Sequence, residues 1–174
     1  GVRLVSLVKE DIKPKDIMNE KAFRNAIKAD LALGGSTNTT LHLPAIAYEA
    51  GVKLNLDSFD ALSKTTPHIT SLLPGGKYFM EDLEFAGGIP AVMKSMESIL
   101  EDNITVSGLS VKEICSRAEN YHDDIIRSMD NPYHKEGGIA VLKGNIAPGG
   151  SVIKQSAVIP EMMVFTGLAK TFNS

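Results

Sequence analysis

The chain has 174 residues, of which 43% are apolar and 22% charged, and its formal net charge is −3. This composition is ordinary for a globular protein with a sizeable core, and the charge gives no reason to expect nucleic acid as a partner. No apolar run reaches the roughly 18 residues of a membrane span, so no membrane partner is expected. The single cysteine, Cys115, suits a reducing cytoplasm.

Three helices are predicted in the first 51 residues. Closely spaced apolar residues predict a buried helix over 2–12, which ends before Pro14. Three- and four-residue apolar spacing predicts a second helix over 20–33, with Asn19 as its N-cap. The third helix, over 37–50, is apolar almost all round and is therefore expected deep in a core. Gly51 is expected to close it.

Shorter elements are expected between residues 52 and 136. Alternation predicts a strand over 52–56, and Asp57 is expected to cap a helix over 58–64. The remaining patterns predict a buried strand or extended run over 69–73, a turn at 74–76, helices over 80–86 and 89–100, a strand over 104–106 and a helix from Ser110 to about Asn120.

The pattern changes at Gly137, beyond which helical periodicity is absent. Three β-rich runs follow, over 139–142, 151–156 and 162–166. Lysine and arginine number 15 against 20 acidic residues in 1–136, but three against one in 137–174. We therefore expect a domain boundary near Asp130, which divides the chain into 1–130 and 131–174.

The stretch Gly34-Gly35-Ser36-Thr37-Asn38 joins the second and third predicted helices. Two glycines allow backbone angles that other residues avoid, and Ser36 or Thr37 can cap the following helix. Hydroxyls, an amide and free N–H groups would then meet at a helix N-terminus, where the dipole favours an anion. Two interpretations stay open: a tight helix–helix corner with ordinary capping, or a loop that faces a carboxylate or phosphate.

Other polar residues allow several kinds of chemistry, none with a specific motif. The acidic group Glu81, Asp82 and Glu84 favours stabilisation of a helix's first turn, with a Mg²⁺ site as the alternative. His42 is expected to be a hydrogen-bonded core histidine, with a position near substrate as the alternative. Cys115 is expected to be a buried helix thiol. The remaining histidines are expected at the surface or in loops: His68, His122 and His134.

Four segments of the sequence, taken in order, carry a resemblance to a known protein family. They are GGSTNTTLHLPAIAYEAG at 34–51, LPGGKYFMEDLEFAGGIPAVM at 73–93, DNPYHKEGGIAVLKGNIAPGG at 130–150 and VIKQSAV at 152–158. In this wording the chain resembles the dihydroxy-acid and sugar-acid dehydratase family of hydro-lyases, from about residue 2 to about residue 172. The wording is closer to the branched-chain dihydroxy-acid enzymes, which serve valine and isoleucine biosynthesis.

The resemblance implies an α/β fold class. The chain would be the helix-rich second half of an α/β domain followed by the opening strands of a β-barrel domain. It also implies an enzyme that removes water from a 2,3-dihydroxy acid to give a 2-oxo acid, with an iron–sulfur cluster and Mg²⁺ as cofactors. The residues that hold these cofactors and the catalytic serine lie outside this sequence in the family. We therefore expect a fragment that has no catalytic residue or metal ligand and binds no cofactor alone.

The substrate-binding residues implied by the resemblance are Gly34, Gly35, Ser36, Thr37 and Asn38, with Asn145 as a further candidate. The full-length enzyme is expected to be a cytoplasmic homodimer that acts on a small dihydroxy acid, whereas the isolated chain is expected to be inactive. Two alternatives remain. One is a sugar-acid dehydratase, such as a phosphogluconate dehydratase, and the other is a non-catalytic folding or oligomerisation module.

Overall fold

The computed structural model describes residues 1–172 of the chain. Helices dominate these residues, and one small antiparallel sheet follows them. The described elements are α1 (Val2–Lys9), α2 (Pro14–Ile17), α3 (Glu20–Ala32), α4 (Thr39–Ala50), α5 (Leu56–Ser63), α6 (Met80–Phe85), α7 (Gly88–Ser95), α8 (Val111–Arg117), β1 (Ala140–Leu142) and β2 (Ser151–Ile153). Three 3-10 turns accompany them, at Glu97–Ile99, Gln155–Ala157 and Pro160–Met162.

Helix α3 lies between two apolar clusters. On one side Ile27 and Leu31 pack with Phe59 of α5 and with Ile139, just before β1. On the other side Ala32 joins a larger cluster that α6, α7 and two extended segments supply: Ile69, Leu72, Leu83, Ala86, Ala91, Val92, Met96, Ile125 and Ile126. The two sides of one helix therefore connect the first half of the chain with the segment after Gly137.

Several predicted helix ends are confirmed. The Asn19 side chain accepts hydrogen bonds from the N–H groups of Lys21 and Ala22, which makes it the N-cap of α3. Ser110 and Glu113 form the predicted capping box of α8. Gly51 ends α4 in the left-handed conformation, with φ at 78°.

The predictions for 52–64 and 104–106 are wrong in part. No strand forms over 52–56, because residues 52–54 only connect α4 to α5, and Asn55 rather than Asp57 caps α5 by accepting from Ser58. The run 104–106 makes a single bridge, between Ile104 and Ser110, across a turn closed by hydrogen bonds at Thr105.

Of the three predicted β-runs, the first two pair and the third does not. Ala140, Val141 and Leu142 lie opposite Ile153, Val152 and Ser151 in the antiparallel sheet. Residues 162–166 have no strand neighbour within 1–172; Met162 ends a 3-10 turn, and all five side chains are exposed. The described residues thus contain a two-stranded sheet and no closed barrel.

Helices α1 and α4 are exposed, contrary to the prediction that both are buried. In α1 only Leu7 is buried, whereas Val2 is 87% exposed, and the helix ends at Lys9 rather than near residue 12. In α4 only Ala47 is buried, and Tyr48 is 80% exposed. Apolar composition did not secure burial here because no other element of residues 1–172 covers the outer faces. No helix in this range is long and apolar enough to cross a membrane.

Two glycine pairs bring distant parts of the chain into backbone contact. A Cβ atom added to Gly138 would overlap the carbonyl group of Gly34, and one added to Gly35 would overlap the Ile139 side chain. Gly34 and Gly35 also have positive φ angles of 93° and 74°, which favour glycine. Hydrogen bonds from Gly137 to the Ser63 carbonyl and from Gly138 to the Leu31 carbonyl fix the same contact.

We predict that Gly138→Ala lowers the free energy of unfolding by about 1–3 kcal/mol, because the new methyl group must displace backbone atoms. Gly144→Ala is the matched control, since a Cβ at Gly144 meets nothing within 4 Å. The control should change stability by less than about 0.5 kcal/mol. Urea unfolding of both variants measures the difference. Equal midpoints would show that the glycine contact does not support the fold.

Candidate functional site

The corner, residues 34–38, begins with the C-terminal end of α3. The N–H of Gly34 donates to the Leu31 carbonyl, and the N–H of Gly35 donates to the Asp30 carbonyl. This pair of bonds, with Gly34 in a positive-φ conformation, is a Schellman motif. The chain therefore leaves α3 abruptly and places the next three residues at the surface above the helix end.

Asp30, in the last turn of α3, stabilises the corner through hydrogen bonds. Its carboxylate accepts hydrogen bonds from the N–H of Ser36 at 3.1 Å and from the Thr39 hydroxyl at 2.8 Å. Burial raises the pKa of Asp30, while the bonds from Thr39 and Ser36 and the charge of Lys154 act in the opposite direction. The Ser36 N–H is consequently occupied and is not free to bind an anion.

The predicted capping by Ser36 or Thr37 is wrong. Helix α4 begins at Thr39, and its N-cap position is Asn38, whose side chain makes no capping bond. The Asn38 side chain instead donates to the Ser36 hydroxyl at 3.2 Å. Thr37 is exposed, and its hydroxyl makes no hydrogen bond within residues 1–172. Thr37 and Asn38 thus present polar side chains to solvent.

The segment after β2 lies against the corner from the side. The Ser156 hydroxyl donates to the Gly34 carbonyl at 2.7 Å, and the Gln155 amide donates to the Gly137 carbonyl at 2.6 Å. A pocket of about 280 Å³ opens beside these contacts; its lining is His134, Lys135, Glu136, Gly137, Gln155, Ser156 and Met163.

His68 lies under the corner, and its predicted surface position is wrong. The residue is only 5% exposed, and its Nδ1 lies 2.8 Å from Nδ1 of His134. Its Nε2 faces Gly34, because a Cβ on Gly34 would lie 2.8 Å from that nitrogen. Burial, followed by the charges of His134 and Lys154, lowers the pKa of His68 to about 4. The ring is therefore neutral at physiological pH.

The other predicted functional residues either lie away from the corner or have a structural role. Asn145 is exposed in the turn between β1 and β2, and among the described residues no hydrogen bond joins it to the corner. His42 is exposed rather than in the core. His122 and His134 are exposed, as predicted. Asp82 accepts from the Phe79 N–H, which confirms the first-turn interpretation of the acidic group.

Metal binding requires several ligand side chains that lie close together. Within residues 1–172 no three His, Cys, Asp or Glu side chains are grouped so that they could hold a metal ion. Cys115 is fully buried, as predicted, and burial followed by the charge of Glu97 raises the pKa of its thiol. An iron–sulfur cluster is held by several cysteine thiolates, and the chain contains one cysteine, so this chain's own residues do not fit an iron–sulfur site.

Sequence reasoning missed Asp30, His68 and Ser156 as parts of the corner. A usable signal existed for His68, since it directly precedes the predicted buried run 69–73. The pair Gly137-Gly138 was a second signal, because adjacent glycines often mark a close backbone approach. No sequence pattern places Ser156, which lies 122 residues away from Gly34.

Two family models match the chain. Residues 1–114 match the dihydroxy-acid/6-phosphogluconate dehydratase N-terminal model, and residues 124–174 match the corresponding C-terminal model. The chain therefore belongs to the dihydroxy-acid/6-phosphogluconate dehydratase family, and the resemblance inferred from the sequence is confirmed.

Individual relatives carry a more particular name. The chain is 52% identical to a dihydroxy-acid dehydratase of Thermodesulfovibrio yellowstonii and 56% identical to one of Endomicrobium trichonymphae, each over 174 residues. It is 53% identical to a third, from Methanothermobacter thermautotrophicus, over 176 residues. Each match covers 100% of this chain and 32% of the relative. The chain thus spans about a third of the length of these curated relatives.

We predict that His68 makes stability depend on pH below neutrality. Its pKa of about 4 lies below the ordinary 6.5, so between these values the unfolded chain binds more protons than the folded chain. The stabilisation is full above about pH 6.5 and falls as the pH drops toward 4, by on the order of 3 kcal/mol. Urea unfolding at pH 7.5 and 4.5 should show that the free energy of unfolding falls less between these pH values for His68→Asn than for wild type. Equal losses would contradict a buried neutral His68.

Proposed function

We propose that this chain is part of a dihydroxy-acid dehydratase, a hydro-lyase that converts a 2,3-dihydroxy carboxylic acid into a 2-oxo acid. The identity of 52–56% over the whole chain to proteins of that name carries this proposal. The substrate is a branched-chain dihydroxy acid of the valine and isoleucine pathways. Cytoplasmic location and homodimer formation belong to the same proposal.

The corner is the substrate-binding part of this chain in the proposal. Gly34 and Gly35 let the chain turn sharply at the end of α3, and the hydroxyls of Ser36 and Thr37 and the amide of Asn38 supply donors for a substrate carboxylate or hydroxyl. The buried Asp30 carboxylate lies behind them, and Lys154 offsets part of its negative charge. Exposure of Thr37 and Asn38 favours this role, since neither side chain caps α4. Asn145 is a weaker member of the same proposal.

The chemical step is assigned to other parts of the full-length protein. The family generally relies on a metal or cluster cofactor; we propose an iron–sulfur cluster and Mg²⁺, which would supply Lewis acidity toward the leaving hydroxyl. The residues of this chain do not fit either group, because they include one buried thiol and, within 1–172, no group of three His, Cys, Asp or Glu side chains that could hold a metal ion. This chain's contribution is to bind and orient the substrate.

The domain organisation follows the same proposal. Residues 1–130 would complete an α/β domain, and residues 131–174 would begin a β-barrel whose first two strands are β1 and β2. The exposed apolar side chains of α1, α4 and residues 162–172 would then be covered in the full-length enzyme.

A hybrid enzyme tests the proposed activity. This chain replaces the matching 174 residues of the Thermodesulfovibrio yellowstonii dehydratase, and the parent enzyme is the positive control. With a branched-chain 2,3-dihydroxy acid, the hybrid should form the 2-oxo acid at a rate within about ten-fold of the parent. Activity with phosphogluconate alone would identify a sugar-acid dehydratase instead. A folded, cofactor-loaded hybrid without dehydratase activity would support a non-catalytic module and reject the proposal.

We predict that Thr37→Val in the hybrid lowers kcat/KM by about ten-fold or more, the effect of about 1–3 kcal/mol for an unpaired buried partner. Valine keeps the side chain's shape but removes its donor and acceptor. Because Thr37 caps no helix, the thermal midpoint should change little. Thr65→Val is the control; Thr65 lies after α5, and its hydroxyl bonds only local carbonyls. Wild-type kinetics for Thr37→Val would remove Thr37 from the substrate site.

A further inference from the structure

His68 and His134 form one hydrogen-bonded unit across two parts of the chain. Their ring planes differ by 9°, their centroids are 5.1 Å apart and their Nδ1 atoms are 2.8 Å apart. The distance between the ring centroids is longer than the distance between the Nδ1 atoms by about one ring radius for each of the two rings. This difference is possible only if the rings lie edge to edge in nearly one plane. The contact is therefore an in-plane N–H···N bond rather than a face-to-face stack.

The backbone fixes this arrangement. The N–H of His68 donates to the His134 carbonyl at 3.0 Å, and the N–H groups of Tyr133 and His134 donate to the His68 carbonyl. His68 belongs to the part matched by the N-terminal family model and His134 to the part matched by the C-terminal one. The pair is thus a polar link between those two parts, directly beneath the corner.

One proton must occupy the space between the two Nδ1 atoms, since two bare nitrogens or two N–H groups would repel. If His68 carries it, Nε2 of His68 is bare and His134 is protonated on its exposed Nε2. If His134 carries it, His68 has its proton on the buried Nε2. In either case, one ring is protonated on Nδ1 and the other on Nε2.

The surroundings of His68 Nε2 select between these states. This nitrogen has no hydrogen-bond partner among the described residues, and it faces the position of an α-hydrogen of Gly34. An N–H aimed at a C–H group would be buried and unpaired, whereas a bare nitrogen accepts a weak contact from that hydrogen. His68 therefore donates through Nδ1, and His134 is the acceptor.

The surroundings of His68 disfavour an additional proton on its ring. Lys154, from the segment after β2, acts on His68 together with His134. The Tyr133 ring lies 6.2 Å from the His68 ring, and the Arg127 guanidinium covers the Tyr133 ring at 3.8 Å. Lys135 and Glu136 line the pocket beside His134. Burial and the charge of Lys154 thus hold the His68 ring in its uncharged form.

We propose that His134 is a positioning residue, which accepts the Nδ1 proton of His68 and thereby keeps a bare Nε2 against Gly34 at the corner. If His134 is lost, His68 can carry its proton on Nε2, and that N–H then pushes on the Gly34 backbone. The consequence for turnover rests on the proposed function, whereas the tautomer assignment does not.

Nitrogen-15 NMR of the chain tests the assignment directly, because protonated and bare imidazole nitrogens have well-separated shifts. At pH 7, His68 should show a protonated Nδ1 and a bare Nε2, and His134 the reverse. In His134→Ala, the His68 proton should move in part to Nε2. A protonated Nε2 on His68 in the wild-type chain would overturn the proposal.

Kinetics of the hybrid enzyme test the positioning role. His134→Ala should lower kcat/KM by about ten-fold, since small displacements in a substrate site have effects of this size. His134→Asn, whose side-chain oxygen can accept the same proton, should recover to within about three-fold of wild type, and the exposed His122→Asn should have no effect. Equal activities of the Ala and Asn variants, high or low, would overturn the role. If the wild-type hybrid is inactive, the proposed function fails, and the NMR result alone decides the tautomer.

Discussion

The backbone contact between Gly138 and Gly34 is the constraint on which the rest of the structure depends. A side chain at Gly138 would overlap the Gly34 carbonyl group, so the two segments meet only because glycine is present. This contact brings the segment after residue 130 onto the end of α3. Ile139 then completes the cluster of Ile27, Leu31 and Phe59, and Ser156 reaches the Gly34 carbonyl. The same glycine contact therefore positions both the apolar cluster and the candidate site.

Polar groups around this contact are satisfied in ways that restrict what the corner can bind. Asp30 occupies the Ser36 N–H, so this backbone donor is not open to an anion. Lys154 acts electrostatically on both Asp30 and His68, so one cation influences both polar groups beside the corner. The free donors are the side chains that point outward from the corner.

The set of side chains in the described residues agrees with a chain that spans about a third of its relatives' length. The described residues supply a shaped, polar corner and a hydrogen-bonded histidine pair, but no group of three side chains that could hold a metal ion. Exposed apolar residues on α1 and α4 show that burial is incomplete within 1–172. Under the proposed function these residues position the substrate, and the proton and metal chemistry is assigned to other parts of the full-length protein.

The sequence by itself determined the family, the helix ends with strong local signals and the glycine corner. Asn19, Ser110 and Gly51 act through bonds to residues within four or five positions, so their roles were readable from the sequence. Burial was not readable for α4 or for His68. An apolar helix is buried only where another element covers it, and a histidine becomes buried only when distant segments close over it. The pairing of His68 with His134 and of Gly34 with Gly138 and Ser156 joins residues far apart in the chain, so only the tertiary structure decided it.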